Sequence, residues 1–187
     1  MAQDSEFRVK GTWFVVARDY ILETYGADVA AQMEAYFDSD VLDAWRDPVA
    51  ASWYPEEALR MALMALHQVP CEGDLKRFEA TCAACTTRGI DRFFSVVLAM
   101  STPQLVLRGV PTMWKMIRRG PATVRVRGIP EGSEVSYVGF PFFVDVRYRV
   151  LTQASLAAII QRCRGETPHV EIVEWTADSL TARVPHA

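Results

Sequence analysis

The sequence is poor in the residues and runs that would name a chemistry at sight. It has four cysteines and three histidines in 187 residues. Four thiols without a secretion signal read as reduced side chains, not as a disulfide framework. No apolar run approaches the roughly 20 residues that cross a bilayer. The longest lie at residues 13–17 and 96–100. The first ten residues mix Asp4, Glu6, Arg8 and Lys10 with no apolar stretch behind a basic start, so they do not read as a signal peptide. These absences point to a cytoplasmic chain with no transmembrane segment. Internal repeats, low-complexity tracts and linkers are also lacking. Ser95, Ser136 and Ser155 have no neighbouring histidine or elbow motif, and Gly109 and Gly120 belong to no phosphate-binding loop. No catalytic residue and no cofactor are expected from these patterns.

What is present supports one domain spanning residues 1–187. Half the residues are hydrophobic, enough for a sizeable core and too many for a disordered chain. The net charge is −3, but it is unevenly spread: residues 1–100 carry −7 and residues 101–187 carry +4. The stretch 101–128 holds Arg108, Lys115, Arg118, Arg119, Arg125 and Arg127 and no acid. Such a stretch can attract a polyanion. An acidic chain without a recognition motif nevertheless argues against nucleic acid, and solvated helix and strand positions explain these residues.

The order of elements is the main information. The first half, about 12–119, reads as helices. Thr12 caps a helix ended by Gly26, residues 27–37 continue helically, and Asp38 and Asp40 offer another cap. Trp53-Tyr54-Pro55-Glu56-Glu57 opens a helix to about Gln68, with Pro55 in its first turn and both glutamates at the positive end of the dipole. Residues 74–87 form a helix ended by Gly89, and 91–100 are strongly apolar. Thr102-Pro103 starts a helix that Pro111 should kink or split near Gly109. After Gly120-Pro121 the period becomes two: strands at 123–127 and 134–138, a Gly-Phe-Pro-Phe-Phe connector at 139–143, a helix over 146–163, then strands at 170–175 and 179–184. The fold expected is α+β: a helical N-terminal half followed by β-β-α-β-β, forming a four-stranded, mostly antiparallel sheet over about 122–185 with helices packed on it.

Val9-Lys10-Gly11, Trp53-Tyr54-Pro55, Trp114 with Arg119-Gly120, and Gly139-Phe140-Pro141 before a long helix carry a resemblance across nearly the whole chain. The order resembles the superfamily of haem–nitric-oxide-binding domains, four-vinyl-reductase domains and transport-protein-particle subunits. Within it, the chain is similar to a bacterial domain-of-unknown-function family expanded in myxobacteria. The resemblance implies a signalling or adaptor module, often dimeric, that binds a ligand or partner rather than a fixed chemistry. Its haem-binding branch carries Tyr-x-Ser-x-Arg and a ligating histidine. This chain has no Tyr-x-Ser-x-Arg, and His67, His169 and His186 are its histidines.

Two constellations remain. His67, Cys71, Cys82 and Cys85 have ligand types suited to tetrahedral zinc, with Cys82 and Cys85 three apart on one helix. The same cysteines read as small buried hydrophobes, which is the reading favoured here. Trp114, Tyr137, Phe140, Phe142, Phe143, Tyr148 and Trp175 fall around the sheet and its connector. They are ordinary core or the lining of an apolar pocket, with Arg125 or Arg147 to hold an anionic head group. The function expected is a non-enzymatic sensory or adaptor domain binding a small apolar ligand or a protein partner. The alternative is a metal-dependent or redox module on the histidine and cysteines. The succession Trp13-Phe14-Val15-Val16 points around most of a helix turn, so a homodimer is expected through this helix.

Overall fold

A computed structural model describes residues 6–93, 102–164 and 168–185. They fall into two compact units, residues 1–81 with 116–120 and residues 82–115 with 121–187.

The first unit has a short antiparallel sheet of order β2-β1-β3, made of β1 (Arg8–Lys10), β2 (Trp53–Pro55) and β3 (Arg118–Arg119). Two glycines permit it. A Cβ on Gly11 would stand 2.0 Å from the Val49 carbonyl oxygen. Gly120 has φ +137° and would press a Cβ to 2.7 Å from the Phe7 ring. Around the sheet stand α1 (Thr12–Thr24), α2 (Ala27–Glu34), α3 (Ser39–Arg46) and α4 (Glu56–Gln68). Helix α1 buries Phe14, Val16, Ala17 and Ile21, and α4 buries Leu59, Leu63 and Leu66 at helical spacing. The Asp38 carboxylate caps α3 by accepting the Val41 N–H at 3.0 Å. Asp74 caps α5 (Leu75–Phe93), accepting the N–H groups of Arg77 and Lys76, and those bonds hold its carboxyl below the usual carboxylate range.

The second unit contains a four-stranded sheet, antiparallel throughout, of order β4-β5-β7-β6. Its strands are β4 (Thr123–Ile129), β5 (Gly132–Val138), β6 (Glu171–Trp175) and β7 (Ser179–Pro185). A 3-10 turn (Pro141–Val144) leads from β5 into α7 (Val146–Arg164), which packs on β6 and β7. Alternation sends Val135, Tyr137, Leu180, Ala182 and Val184 inward. Arg127, Glu134, Arg183 and Glu171 form one rung on the other face. Within it Arg127 and Arg183 both bond to Glu134, which keeps that carboxyl low. From α6 (Pro103–Ile117), Val106 joins Ile90, Met113, Ile159 and Cys163 in an apolar cluster.

The chain is therefore α+β, with a helix-rich first half and the expected β-β-α-β-β order. Several local expectations are corrected. The three strands of the small sheet are additional to those expected, and Pro55 ends β2 instead of entering the helix. Helix α2 stops at Glu34 rather than Phe37, and α5 runs through Gly89 to Phe93. Pro111 lies inside an unbroken α6, where burial of Val106, Leu107 and Val110 offsets the roughly 3 kcal/mol cost of an internal proline. The apolar stretch over 94–100 lies outside the described residues. Among the described residues no helix is long and apolar enough to cross a membrane.

Candidate functional site

The aromatic residues singled out by the sequence come together in the second unit. Trp114 of α6 meets Tyr137 of β5 and Phe140 edge-on, with centroids 5.2 and 5.1 Å apart. Phe140 in turn meets Phe142, Phe143 and Tyr148 at 5.1, 5.2 and 5.6 Å. These are the tilted and edge-to-face pairings that ring quadrupoles prefer. The connector makes them possible: Gly139 at φ +78° turns the chain, and the Phe140 N–H is tied to the Asp178 carbonyl at 2.8 Å. Phe140, Phe143 and Tyr148 are buried, whereas Trp114 and Phe142 are half-buried and form the accessible side of the cluster. Trp175, named with these rings, is exposed instead, with the Arg149 guanidinium 3.8 Å from its ring centroid.

The two arginines are placed differently. Arg147 folds back on Asp145, its Nε and one terminal nitrogen 2.8 and 2.7 Å from the carboxylate. Arg125 pairs in register with Ser136, and Val124 with Tyr137, so Arg125 stands on the sheet face opposite the rings. Neither guanidinium is directed at the cluster.

The candidate metal ligands do not gather. Among the described residues no group of three His, Cys, Asp or Glu side chains is arranged to hold a metal ion. Cys71 is fully buried and donates to the Thr81 hydroxyl at 3.6 Å, which also lies 3.3 Å from the Tyr25 hydroxyl. Burial pushes its thiol up, against the formation of a thiolate that a zinc ligand or a redox nucleophile requires. His67 lies edge-on to Phe78, and Cys82 and Cys85 are buried in α5.

Glu56, expected to serve the helix dipole beside Glu57, does something else. It is fully buried, and Arg118 of β3 brings Nε to 3.3 Å from its Oε1. Glu57 is exposed and pairs with Arg60 one turn along. This internal ion pair joins β3 to the first turn of α4.

No family model and no curated protein matches the sequence. Solved structures do match. An Fe(II) unliganded H-NOX protein from K. algicida superposes with a TM-score of 0.67 at 11% identity, covering 94% of this chain and 95% of that one. An H-NOX protein from S. oneidensis in the Fe(II)NO ligation state gives 0.62 at 17% identity, covering 94% and 97%. A mutant of the T. tengcongensis H-NOX gives 0.64 at 17%, covering 94% and 96%. The chain shares the H-NOX fold.

The fold raises haem as a group to be tested against these residues. Tyr137 is the tyrosine on β5, but Gly139 and Pro141 follow it at the second and fourth positions, without a hydroxyl or guanidinium for a propionate. Its ring is turned inward onto Trp114 and Phe143. Of the described histidines, His67 lies against Phe78 and His169 is exposed. His186 lies outside the described residues. Among the described residues, those around Tyr137 do not fit haem.

Proposed function

We propose that the chain is a non-enzymatic sensory or adaptor domain that uses the H-NOX fold without haem and binds a small apolar ligand or a protein partner. The observation that carries this reading is the fold likeness over 94% of the chain combined with the lack of haem-holding side chains around Tyr137. The ligand side of the proposal is the half-buried edge of Trp114 and Phe142, backed by Tyr137, Phe140 and Tyr148. An apolar molecule meets ring faces there and few competing polar groups. A cytoplasmic location, operation of residues 1–187 as one domain, and membership of the myxobacterial family described above belong to the same proposal.

Haem reconstitution and metal analysis test it together. Protein purified without added metal and then incubated with haemin is expected to show no stoichiometric Soret band. It is also expected to carry no stoichiometric zinc and to melt at the same temperature with and without chelator. A one-to-one haem complex whose spectrum changes in His67→Ala would overturn the haem-free reading. About one zinc per chain, removed by chelator with unfolding, would instead restore the module based on the cysteines.

Self-association is the second part of the proposal, but its surface has to change. Phe14 and Val16 are core residues of the first unit, so substituting them would unfold that unit and map no interface. A homodimer is still expected from the apolar side chains left exposed elsewhere, Val144 and Trp175 among them. Light scattering at micromolar concentration reads the outcome: twice the chain mass supports pairing, and a monomer mass throughout refutes it.

A further inference from the structure

Three motifs far apart in the sequence meet in the β2-β1-β3 sheet: Val9-Lys10-Gly11, Trp53-Tyr54-Pro55 and Arg119-Gly120. Val9 is buried, so its strand neighbours Arg8 and Lys10 belong to the opposite face. The register puts Trp53 beside Lys10, and Arg119 and Pro55 beside Arg8, on that same outer face. Trp53 holds two cations at once. The Lys10 ammonium is 4.6 Å from its ring centroid and the Arg119 guanidinium 4.2 Å. Lys10 donates one hydrogen bond, to the Ala51 carbonyl at 2.7 Å, and keeps two donors; Arg119 is exposed and, among the described residues, meets no carboxylate.

Two like charges drawn onto one ring make this face electropositive, and an anion beside them relieves their repulsion. The surroundings restrict which anion. Residues 1–81 and 116–120 together hold 15 Asp and Glu against nine Lys and Arg. A duplex or an anionic bilayer extends well beyond this face, over a unit whose acids outnumber its bases. The face is also small, three strands of two or three residues, on the order of 10 Å across at normal strand spacing. That matches a few residues of an extended peptide.

We propose that the outer face of this sheet docks a short acidic segment of a protein partner, with its carboxylates on Lys10 and Arg119 and an apolar side chain against Trp53. This deepens the adaptor half of the proposed function and rests on it. It makes no use of the aromatic cluster, so failure of haem or ligand experiments leaves it standing, and its own failure leaves them standing.

The test follows the indole N–H signals of the ¹⁵N-labelled full chain, with the Trp53 signal assigned by its loss in Trp53→Phe. The probe is a seven-residue peptide of Glu and Asp around one central Leu. Its Gln and Asn counterpart, a DNA duplex and phosphatidylserine vesicles serve as comparisons. The Trp53 signal is expected to shift saturably with the acidic peptide alone, and the affinity to fall roughly tenfold between 50 and 500 mM salt. Arg119→Glu and Lys10→Glu should each weaken binding at least tenfold; Arg119→Gln and Lys10→Gln give the same reading if the reversed charges impair folding. No saturable shift at millimolar peptide, undiminished binding by a folded Arg119 variant, or an equal response to DNA or vesicles would each overturn the proposal.

Discussion

Arg118→Met is expected to destabilise the protein by about 3–5 kcal/mol, the usual result of removing one partner of a buried ion pair. Glu56 has no exposed surface and Arg118 is only 10% exposed, so water cannot replace the lost guanidinium. Methionine keeps most of the aliphatic stem, which confines the change to charge and hydrogen bonding. The sign of the pH dependence follows. Without Arg118, burial disfavours the charged form of the Glu56 carboxylate. The deficit should therefore be larger at neutral pH than in acid, where the carboxylate takes up a proton. The double variant Glu56→Leu/Arg118→Met should recover most of the loss, because an apolar pair of similar volume needs no compensation. Urea unfolding at pH 7 and pH 4.5, with unchanged m, measures all three. A loss under 1 kcal/mol in Arg118→Met would show that the pair holds nothing together.

The behaviour of Glu56 also shows what the sequence contains and what it conceals. Glu56 stands three residues before Leu59 and seven before Leu63, on the face those leucines bury. Helical spacing alone therefore puts a carboxylate toward the core. Assigning both glutamates to the dipole compares them with each other instead of with the apolar face. Arg118, inside a run of basic residues that reads as solvated, is its partner, and nothing local connects positions 62 residues apart.

The small sheet is hidden for a related reason. Strands of two or three residues are too short to display a period of two, and their partners lie tens of residues away. The four longer strands are legible because Thr123–Ile129 and Ser179–Pro185 alternate over seven residues. Helix ends divide in the same way. Asp38 and Thr102 read as caps, and their side chains accept the expected N–H groups of Val41 and Leu105. Gly89 reads as a stop, but a glycine costs a helix only about 1 kcal/mol, and α5 continues through it. At the candidate site, residue type finds the rings but not the arginines. Aromatic side chains collect wherever a core forms, whereas the direction of Arg125 depends on a register that alternation alone leaves open by one residue.

Phe140→Ala is expected to cost about 3–5 kcal/mol, the range for deleting a large aromatic side chain from a close-packed interior. Phe140 is 1% exposed and is the ring that Trp114, Phe142, Phe143 and Tyr148 share, so its loss removes four ring contacts at once. Phe142→Ala, at the half-buried edge, should cost less, about 1–2 kcal/mol, because part of that ring is already in water. The same pair of variants separates a packed core from a ligand pocket. If the rings close on one another, the hole left in Phe140→Ala is apolar and dry, and it should take up benzene or indole with a rise in melting temperature that the parent protein does not show. If the cluster is the mouth of an apolar site, as proposed above for Trp114 and Phe142, the parent should already be stabilised by such molecules and Phe142→Ala should weaken the effect. Thermal melts of the three proteins with and without indole decide between these outcomes. A Phe140→Ala variant that melts with the parent, with or without indole, would show that the ring cluster contributes neither packing nor a site.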